Sequence, residues 1–382
     1  MRFHTFVLRN VLRRRTRSTL TLTGIAIAVA MVVALVGFSE SLKRSVMEIY
    51  QNRNVGLIVM RADALNPMTG RMDQALGREI MALDGVRDIC PGLVAPMSFD
   101  NLGQQGIMVQ GWPADGYMWD ELKLLEGQRL SAEFHGKRGI VLGKDLAHNA
   151  NLTLGSTVEM SDEKYHVVGI FEGTSLENFM AYLLLEDAQE LTGEKGKITG
   201  CTVRLKDPSE QTAKAVQAEI EGPVAAKLKL TGKIRATPPD EFGRTNTQLR
   251  VIRAFCWITS FIAVIVGAIG MLNTMVMSVF ERTREIGILR AIGWRPSRVM
   301  RMVLLESMLL SLGGGVVGTV AAVGLTMVLS HMPIAHGAIQ SSISAGLIIE
   351  AFIIAIVVGL IGAAYPAFRA ARLLPTEAIR HE

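Results

Sequence analysis

The chain has seven histidines and three cysteines, residue types that can bind metal ions. No His/Cys group among them has the spacing of a metal site. His331 and His336 are close in sequence, but they stand five residues apart with no neighbouring carboxylate, which is a weak pattern for a ligand set. The sequence therefore predicts no metal site.

The sequence contains no motif for nucleotide binding or for hydrolysis either. The phosphate-binding pattern G-x-x-x-x-G-K-[ST] does not occur, and the Gly-Lys pairs at 136–137 and 196–197 lack both the upstream glycine and the following Ser or Thr. No G-x-S-x-G or similar setting for a nucleophile is present. We predict no catalytic residue and no cofactor held by this chain, so ATP, if used, binds a separate subunit.

Two carboxylates fall within long apolar runs. Glu306 stands one turn inside the third run and Glu350 near the start of the fourth. An ionisable residue at membrane depth is a functional candidate by default. For Glu306 a structural role is the alternative, because its carboxylate could reach Arg298, Arg301 or interfacial water at that depth. A proton relay would need a chain of partners that the sequence does not show.

The hydropathy pattern predicts the elements that carry these residues. The chain has 382 residues, of which 49% are hydrophobic and 20% charged, and its mean hydropathy is +0.31. Four apolar runs are each near or above the ~18 to 20 residues that cross a bilayer as a helix. These runs are residues 20–38, 254–280, 302–329 and 347–364. The sequence predicts an α-helical membrane protein with four transmembrane helices.

Arginine sets the predicted orientation. Outside residues 43–250 the chain has 16 basic residues, all arginine, against 7 acidic ones. All but Arg253 precede the first run, separate the second from the third, or follow the fourth. The positive-inside rule then places the terminal segments 1–19 and 365–382 and the loop 281–301 in the cytoplasm.

The large insert after the first run, and the short loop 330–346, then lie outside the cytoplasm. Residues 43–250 carry 24 basic and 28 acidic side chains, so the pI of about 9.2 comes from the membrane flanks and argues against nucleic-acid binding. Cys90 and Cys201 fall in this insert, where a disulfide is chemically allowed. Unpaired buried thiols are the alternative, and spacing does not decide between them.

The amino-terminal run has two interpretations. A basic start and an apolar core are typical of a cleaved signal peptide. The run is long for one, however, and Leu42, Val46 and Ile49 continue beyond it at helical spacing. We predict a retained helix that leaves the membrane as a stalk over residues 39–53.

Residues 54–239 have the pattern of an α+β domain rich in short strands. Val/Ile-rich runs punctuated by glycine, such as 138–147 and 165–172, are typical of strands and turns. We predict two lobes, an α/β lobe built from both ends of the insert and a β-rich middle lobe of about residues 107–197. Residues 240–253 then lead back to the membrane as a second stalk.

The loop between the second and third runs reads ERTREIGILRAIGWRPSRVMR. Apolar residues recur in it every three positions, at Ile286, Leu289 and Ile292. One face of a short helix would then be apolar and the other basic. Gly293 suits the end of that helix, and Pro296 suits the first turn of the next. A helix lying flat at the interface between two membrane helices would act as a mechanical lever.

Small residues recur at four-residue spacing in the last two spans. They are Gly314 and Gly318 in the third span and Ala355, Gly359 and Ala363 in the fourth. Such faces let helix backbones approach closely. They fit packing within the chain and a dimer interface equally well.

Three stretches resemble the carboxy-terminal region of the MacB/FtsX-like ABC transporter permeases, the mechanotransmission type. They are ERTREIGILRAIG (281–293), LLESMLLSLGGGVVG (304–318) and YPAFRAARLLPTEAIR (365–380). The insert also resembles the extracytoplasmic core domain of that family, with EGQR at 126–129 in place of a tighter EGR-like turn.

The resemblance implies a permease subunit of the bacterial inner membrane that is not itself an enzyme. It implies a homo- or heterodimer in membrane lipid, with separate subunits that bind ATP and Mg. ATP-driven motion would pass through the loop to the external domain, for export or extraction of a lipid, lipoprotein, drug or peptide. The residues implied in coupling are Glu281, Arg282, Arg284, Glu285, Gly287, Arg290 and Gly293.

The resemblance also leaves alternatives open. Some relatives do not transport, and instead use the same motion to regulate cell-wall hydrolases or to sense peptides. In some family members a membrane-fusion adaptor or a periplasmic acceptor docks on the external domain. The family has a glutamate at the position of Glu306, which implies a structural or coupling role for it.

Overall fold

A computed structural model describes residues 15–63, 69–330 and 344–373. The predictions about the ends of the chain, about His331 and His336 and about most of the loop around them lie outside the described residues. The chain divides into two compact units. A membrane unit contains residues up to 40, 253–329 and those from 341 onward, and a domain unit contains residues 41–252.

Helices make up most of the membrane unit and part of the domain unit. The described ranges contain α1 (Arg15–Gln51), α2 (Ala75–Met81), α3 (Lys144–Asn149), α4 (Leu185–Thr192), α5 (Glu210–Glu219), α6 (Ala225–Lys227), α7 (Pro239–Thr245), α8 (Thr247–Glu281), α9 (Thr283–Ala291), α10 (Pro296–Ser330) and α11 (Ala345–Ala371). Helices α1, α8, α10 and α11 are long and apolar enough to cross a membrane. The prediction of four spanning helices with a mixed α/β domain between the first and second is confirmed.

The strands of the domain unit form one long sheet and one short one. They are β1 (Leu57–Arg61), β2 (Met72–Asp73), β3 (Val86–Phe99), β4 (Gln104–Trp112), β5 (Lys123–Gly127), β6 (Gly139–Gly143), β7 (Thr157–Met160), β8 (Glu163–Glu172), β9 (Ala181–Leu184), β10 (Lys197–Ile198), β11 (Gly200–Leu205) and β12 (Ile234–Thr237). The large sheet has the order β12-β1-β11-β3-β4-β9-β6-β8-β5, with β7 paired to β8, and β10 pairs with β2.

Strand β3 joins the two halves of the large sheet. Its first part, up to Gly92, pairs with β11, and its second part, from Leu93, pairs with β4. The strands on the β11 side come from both ends of the insert, and those on the β4 side come from its middle. The two halves of the sheet therefore meet within β3, and the division of the insert into two lobes stays a prediction.

Alternating burial explains why these runs form strands. In β8 the buried residues include Tyr165, Val167 and Phe171. They lie an even number of positions apart, so their side chains point to the same face of the strand. Phe171 belongs to an aromatic cluster in which Trp112 and Tyr182 stack with ring centroids 4.1 Å apart. This cluster gives the domain a second core beside the aliphatic one.

The cysteines of the insert are free thiols. Cys90 and Cys201 are both buried and unpaired. Burial raises the pKa of the Cys201 thiol to about 12, so it stays protonated and unreactive at neutral pH. Of the two alternatives that the sequence leaves open, the structure shows unpaired buried cysteines.

The four spanning helices are buried to different extents within the membrane unit. In the most apolar 18-residue stretch of α1, half of the residues are buried, whereas in the corresponding stretch of α8 only 22% are buried. Side chains on the exposed face of α8 include Phe255, Ile262, Val266 and Ile269. Because water is absent from the bilayer core, this apolar face suits contact with lipid.

Candidate functional site

Helix α9 lies between two spanning helices and is capped at its carboxy-terminal end. The backbone of Arg282 has non-helical angles, φ −106° and ψ 11°, which separate α8 from α9. At the other end the Gly293 amide donates to the Arg290 carbonyl at 3.1 Å, and the Trp294 amide donates to the Leu289 carbonyl at 3.0 Å. This is a Schellman cap, in which Gly293 takes a positive φ of 96°. The helix ends where the sequence predicts.

The inner face of α9 is fixed by apolar packing. Ile286 and Gly287 are buried, and Ile286 joins a cluster with residues of α8, α10 and α11. Val299 and Ala367 in this cluster are fully buried. The helix is therefore packed against the ends of three spanning helices.

The outer face of α9 differs from the predicted one. Ile288 and Ile292 are 44% and 74% exposed, and Glu285 is exposed beside them. The predicted apolar face of Ile286, Leu289 and Ile292 is wrong, because a three-residue step falls about 60° short of a full turn. Six residues apart, Ile286 and Ile292 point about 120° away from each other. The real outer stripe, residues 285, 288 and 292, combines an acidic and two apolar side chains.

A buried ion pair ties the start of α9 to α10. The Arg282 guanidinium donates to the Glu306 carboxylate over 2.9 Å, and both side chains are less than a tenth exposed. The structure thus pairs Glu306 with Arg282, a partner that the sequence prediction of Arg298, Arg301 or interfacial water did not name. The guanidinium of Arg298 stacks on the Trp294 ring at 4.3 Å, and Arg301 is exposed. Glu306 therefore acts as the internal counter-charge of Arg282.

The other predicted coupling residues divide between surface and cap. Arg284 and Glu285 are exposed on α9, and Glu281 is exposed at the end of α8. Arg290 is half-buried, and its guanidinium donates to the Trp294 carbonyl at 3.1 Å. The position of Arg290 supports the end of the helix, whereas Arg284 and Glu285 lie on its exposed surface.

The small residues of the last two spans pack within the chain. A Cβ added at Gly314 would lie 2.8 Å from Ile25, and one at Gly318 would lie 2.4 Å from the Ala26 carbonyl oxygen. A Cβ at Gly359 would overlap the Ser311 hydroxyl. These glycines therefore pack against other helices of the same chain.

Gly318→Ala is expected to destabilise the membrane unit by about 1 to 3 kcal/mol, because its methyl group would meet backbone atoms of α1 that have little freedom to move. The matched control is Gly324→Ala on the same helix, where an added Cβ meets nothing within 4 Å. We expect the control to be neutral or slightly stabilising. Thermal unfolding of both variants in detergent measures the difference, and equal melting temperatures would contradict this packing.

Comparison with known proteins identifies the architecture. A family model of the MacB-like periplasmic core domain matches residues 18–222, and one of the FtsX-like permease C-terminal region matches residues 257–375. The first match covers more than half of the chain. The chain belongs to the MacB/FtsX-like family of ABC transporter permeases. Membership and the four apolar helices make it a multi-pass inner-membrane protein.

Individual relatives are similar over nearly the whole permease. It is 27% identical to an uncharacterised ABC transporter permease of Methanocaldococcus jannaschii, covering 99% of this chain and 97% of that one. It is 25% identical to the macrolide export ATP-binding/permease protein MacB of Shewanella oneidensis and 26% identical to the pyoverdine export ATP-binding/permease protein PvdT of Pseudomonas fluorescens. Both matches include 96% of this chain, but they span only 58% of the MacB protein and 57% of the PvdT protein.

Two solved structures are similar to the domain unit. The periplasmic region of MacB from Actinobacillus actinomycetemcomitans matches 50% of the permease and 94% of its own chain, with a TM-score of 0.41 and 14% identity. The extracellular domain of the ABC-type transporter YknZ from Gram-positive bacteria matches 47% and 98%, with a TM-score of 0.40 and 16% identity.

Sequence reasoning missed three features of the site. It did not pair Arg282 with Glu306, although the presence of one buried acid predicted some cation nearby. It also missed the exposed pair Ile288 and Ile292, which a search at four-residue spacing would have found. The stacking of Arg298 on Trp294 leaves no clear signal in the sequence.

Proposed function

We propose that this permease transmits the motion of an ATP-binding subunit through α9 to the domain between its first two spans, where the motion drives export or extraction of a substrate. Two permease copies and two ATP-binding subunits form the working complex. The ATP-binding subunits lie on the side of the membrane that carries α9, and the substrate is handled on the opposite side.

The observation that carries this proposal is the two-sided construction of α9. Its inner face is held by buried Ile286 and by the Arg282–Glu306 pair, and its outer face presents Glu285, Ile288 and Ile292. Apolar side chains at the centre of a polar surface are typical of a docking site. A partner that displaces this face moves α8 and α10, since each begins or ends within a few residues of α9.

Export is the substrate action that the relatives favour. Two relatives with this architecture are named for export, one of macrolides and one of pyoverdine. The family models match most of the two regions that would take part, the domain and the spans that follow it. We therefore place export ahead of a purely regulatory role, and an adaptor docked on the domain would be the further partner that completes an export path.

Substitution Ile288→Asp is expected to reduce association with the ATP-binding subunit roughly tenfold or more, because it places a charge at the centre of the proposed interface. The measurement is affinity purification of the tagged permease in mild detergent, with identification of the co-purifying subunit and assay of its ATPase activity. Ser297→Asp serves as the matched control, because Ser297 is also exposed near α9 in the sequence. It lies in the first turn of α10, where a carboxylate is favourable.

Two outcomes would contradict the proposal. One is that the unaltered permease brings down no ATPase under gentle conditions. The other is that Ile288→Asp and Ser297→Asp retain the subunit equally well. A cell-wall hydrolase or a sensor kinase in the same purification, in place of an adaptor, would support the regulatory alternative.

Cysteine labelling tests the proposed orientation. The native cysteines are buried, so the unaltered permease is expected to give no labelling background. Gln105→Cys, at an exposed position of β4, is expected to react with an impermeant maleimide in intact spheroplasts. Arg295→Cys, exposed in the loop after α9, is expected to react only after lysis. The reverse pattern would invert the topology.

A further inference from the structure

Two arginines at the end of α11 stack on aromatic rings at the surface of the membrane unit. The guanidinium carbon of Arg369 lies 4.5 Å from the centre of the Phe280 ring, which belongs to α8. That of Arg372, the residue that follows α11, lies 4.1 Å from the centre of the Phe368 ring. Both arginines are exposed, and both phenylalanines are 49% exposed. We call these four residues the arginine–aromatic patch.

The positive charge of this patch is not neutralised by the part of the chain that the structure describes. Neither Arg369 nor Arg372 forms an ion pair there, whereas the buried Arg282 has its own carboxylate. A guanidinium that stacks on a ring by its face keeps the N–H groups at its edge free for an anion. Residues three apart in a helix lie on the same side of it. The patch therefore presents two neighbouring sets of N–H donors.

The patch lies at the level where two apolar runs end. Phe280 is the last residue of the run 254–280, and Arg369 stands about one turn beyond the run 347–364. Tyr365, one turn before Arg369 on the same side of α11, is 55% exposed. Tyrosine is enriched at membrane–water interfaces. Apolar surface, aromatic rings and guanidiniums thus follow one another toward the water, which is the order of polarity in a phospholipid.

We infer that the arginine–aromatic patch binds the phosphate of an anionic phospholipid, in the leaflet on the side of α9. That side follows from Ala367 and Ala370, which are buried on the inner side of α11 in a cluster with Ile286 of α9. The two guanidiniums donate to phosphate oxygens, and Tyr365 and Phe368 contact the lipid just below its headgroup. This inference stands apart from the coupling role of α9 and needs no ATP-binding subunit.

The net charge of the headgroup decides between lipid classes. A zwitterionic headgroup brings a cation together with its phosphate, and that cation would face two guanidiniums that have no counter-charge. Like charges placed side by side repel each other. An anionic headgroup such as phosphatidylglycerol supplies the missing negative charge and no cation, so it fits the patch better.

The surroundings of the patch favour lipid over an acidic segment of a partner protein. Met277, one turn deeper on α8 than Phe280, is 55% exposed, so the apolar surface continues from the patch into the membrane span. A docking site for a soluble protein normally has a polar rim. On this side the patch is bordered by surface that suits lipid tails.

Native mass spectrometry of the full-length permease, released from detergent micelles, tests the inference. The probe is phosphatidylglycerol, and phosphatidylcholine with the same acyl chains is the comparison. Arg369→Gln is expected to weaken phosphatidylglycerol binding about fivefold, and the double variant with Arg372→Gln about 25-fold, because each basic side chain near a membrane surface contributes a similar increment. Phosphatidylcholine binding is expected to change by less than about twofold in both variants, which also reports that they are folded.

Two further variants separate a defined site from general attraction. Arg295→Gln removes the same charge from an exposed position in the loop after α9, and we expect it to change phosphatidylglycerol affinity by less than about twofold. Arg369→Lys keeps the charge but loses the planar fork, and we expect binding about threefold weaker than in the unaltered permease. Equal losses in Arg295→Gln and Arg369→Gln would overturn the inference.

Two other results would assign the patch to a different occupant. Release of bound phosphatidylglycerol by an excess of inorganic phosphate would show that a free anion takes the site, and would overturn the assignment to lipid. Unchanged phosphatidylglycerol binding in the double variant, together with loss of a co-purifying ATP-binding subunit, would make the patch a protein interface.

Discussion

Glu306→Ala is expected to destabilise the membrane unit by about 3 to 5 kcal/mol, the largest effect of any single substitution in the coupling region. The reason is that the Arg282 guanidinium would remain buried without the carboxylate that now lies 2.9 Å from it. Both side chains are less than a tenth exposed, so water has little access to replace the lost partner. Thermal unfolding in detergent, followed by intrinsic fluorescence, measures the loss.

A matched control and a charge-exchange variant test whether the loss of stability comes from this ion pair or from the removal of any acidic side chain. Glu350→Ala also removes a glutamate from a spanning helix, but Glu350 is exposed, so we expect a change within about 0.5 kcal/mol. The double substitution of Arg282→Glu with Glu306→Arg is expected to recover part of the stability that either single change removes. Additive losses in the double variant would show that the two side chains do not interact.

The pair also bears on transmission. If α9 is the lever, Glu306→Gln is expected to leave the ATP-binding subunit attached while lowering the transport that accompanies each ATP hydrolysed, because a neutral amide holds Arg282 less firmly. Stability and attachment are readouts of structure, whereas the ratio of transport to hydrolysis reports coupling. An unchanged ratio in a stable variant would limit the pair to a structural role.

Arg53→Ala is expected to destabilise the domain unit by about 3 to 5 kcal/mol. Arg53 lies two residues beyond the end of α1, and its guanidinium contacts the Glu177 carboxylate at 2.5 Å with both side chains at most 5% exposed. The guanidinium also lies 5.2 Å from the centre of the Trp112 ring. Burial alone would lower the pKa of Arg53, but the neighbouring Tyr182 and Glu177 raise it, so the residue is charged.

Arg61→Ala is the control for this prediction. Arg61 is also in the domain unit and also pairs with a carboxylate, that of Asp63, but both side chains are about a third exposed. Exposed pairs of this kind contribute about 0 to 1 kcal/mol, so we expect a small change. Arg53→Lys is expected to be nearly as damaging as Arg53→Ala, because an ammonium does not reproduce the planar contacts of the guanidinium. Similar melting temperatures for Arg53→Ala and Arg61→Ala would refute the anchoring role of Arg53.

This anchor matters for the proposed function because of where it lies. Glu177 also accepts a hydrogen bond from the Tyr182 hydroxyl at 3.1 Å, and Tyr182 stacks on Trp112 in the aromatic core. Tyr50 in the last turn of α1 adds an edge-to-face contact with Phe242 of α7, with ring centroids 5.7 Å apart. Residues 50 and 53 are therefore packed into the core of the domain unit.

The sequence alone determined what depends on local chemistry or on composition. The four apolar runs predicted the spanning helices because a bilayer requires about 20 apolar residues in a row. Gly293 and Pro296 predicted a helix end and a helix start, because each residue type restricts its own backbone. The order of strands and helices in the insert predicted a mixed α/β domain, since alternating burial is visible in Val/Ile-rich runs such as β8.

Only the tertiary structure decided which distant groups meet. The sequence offered Arg298 and Arg301 as partners of Glu306 because they are near it in the chain, yet the partner is Arg282, 24 residues earlier. The direction in which Gly318 faces likewise depends on how whole helices cross. Crossing geometry results from the packing of all side chains in an interface, so no short stretch of sequence specifies it.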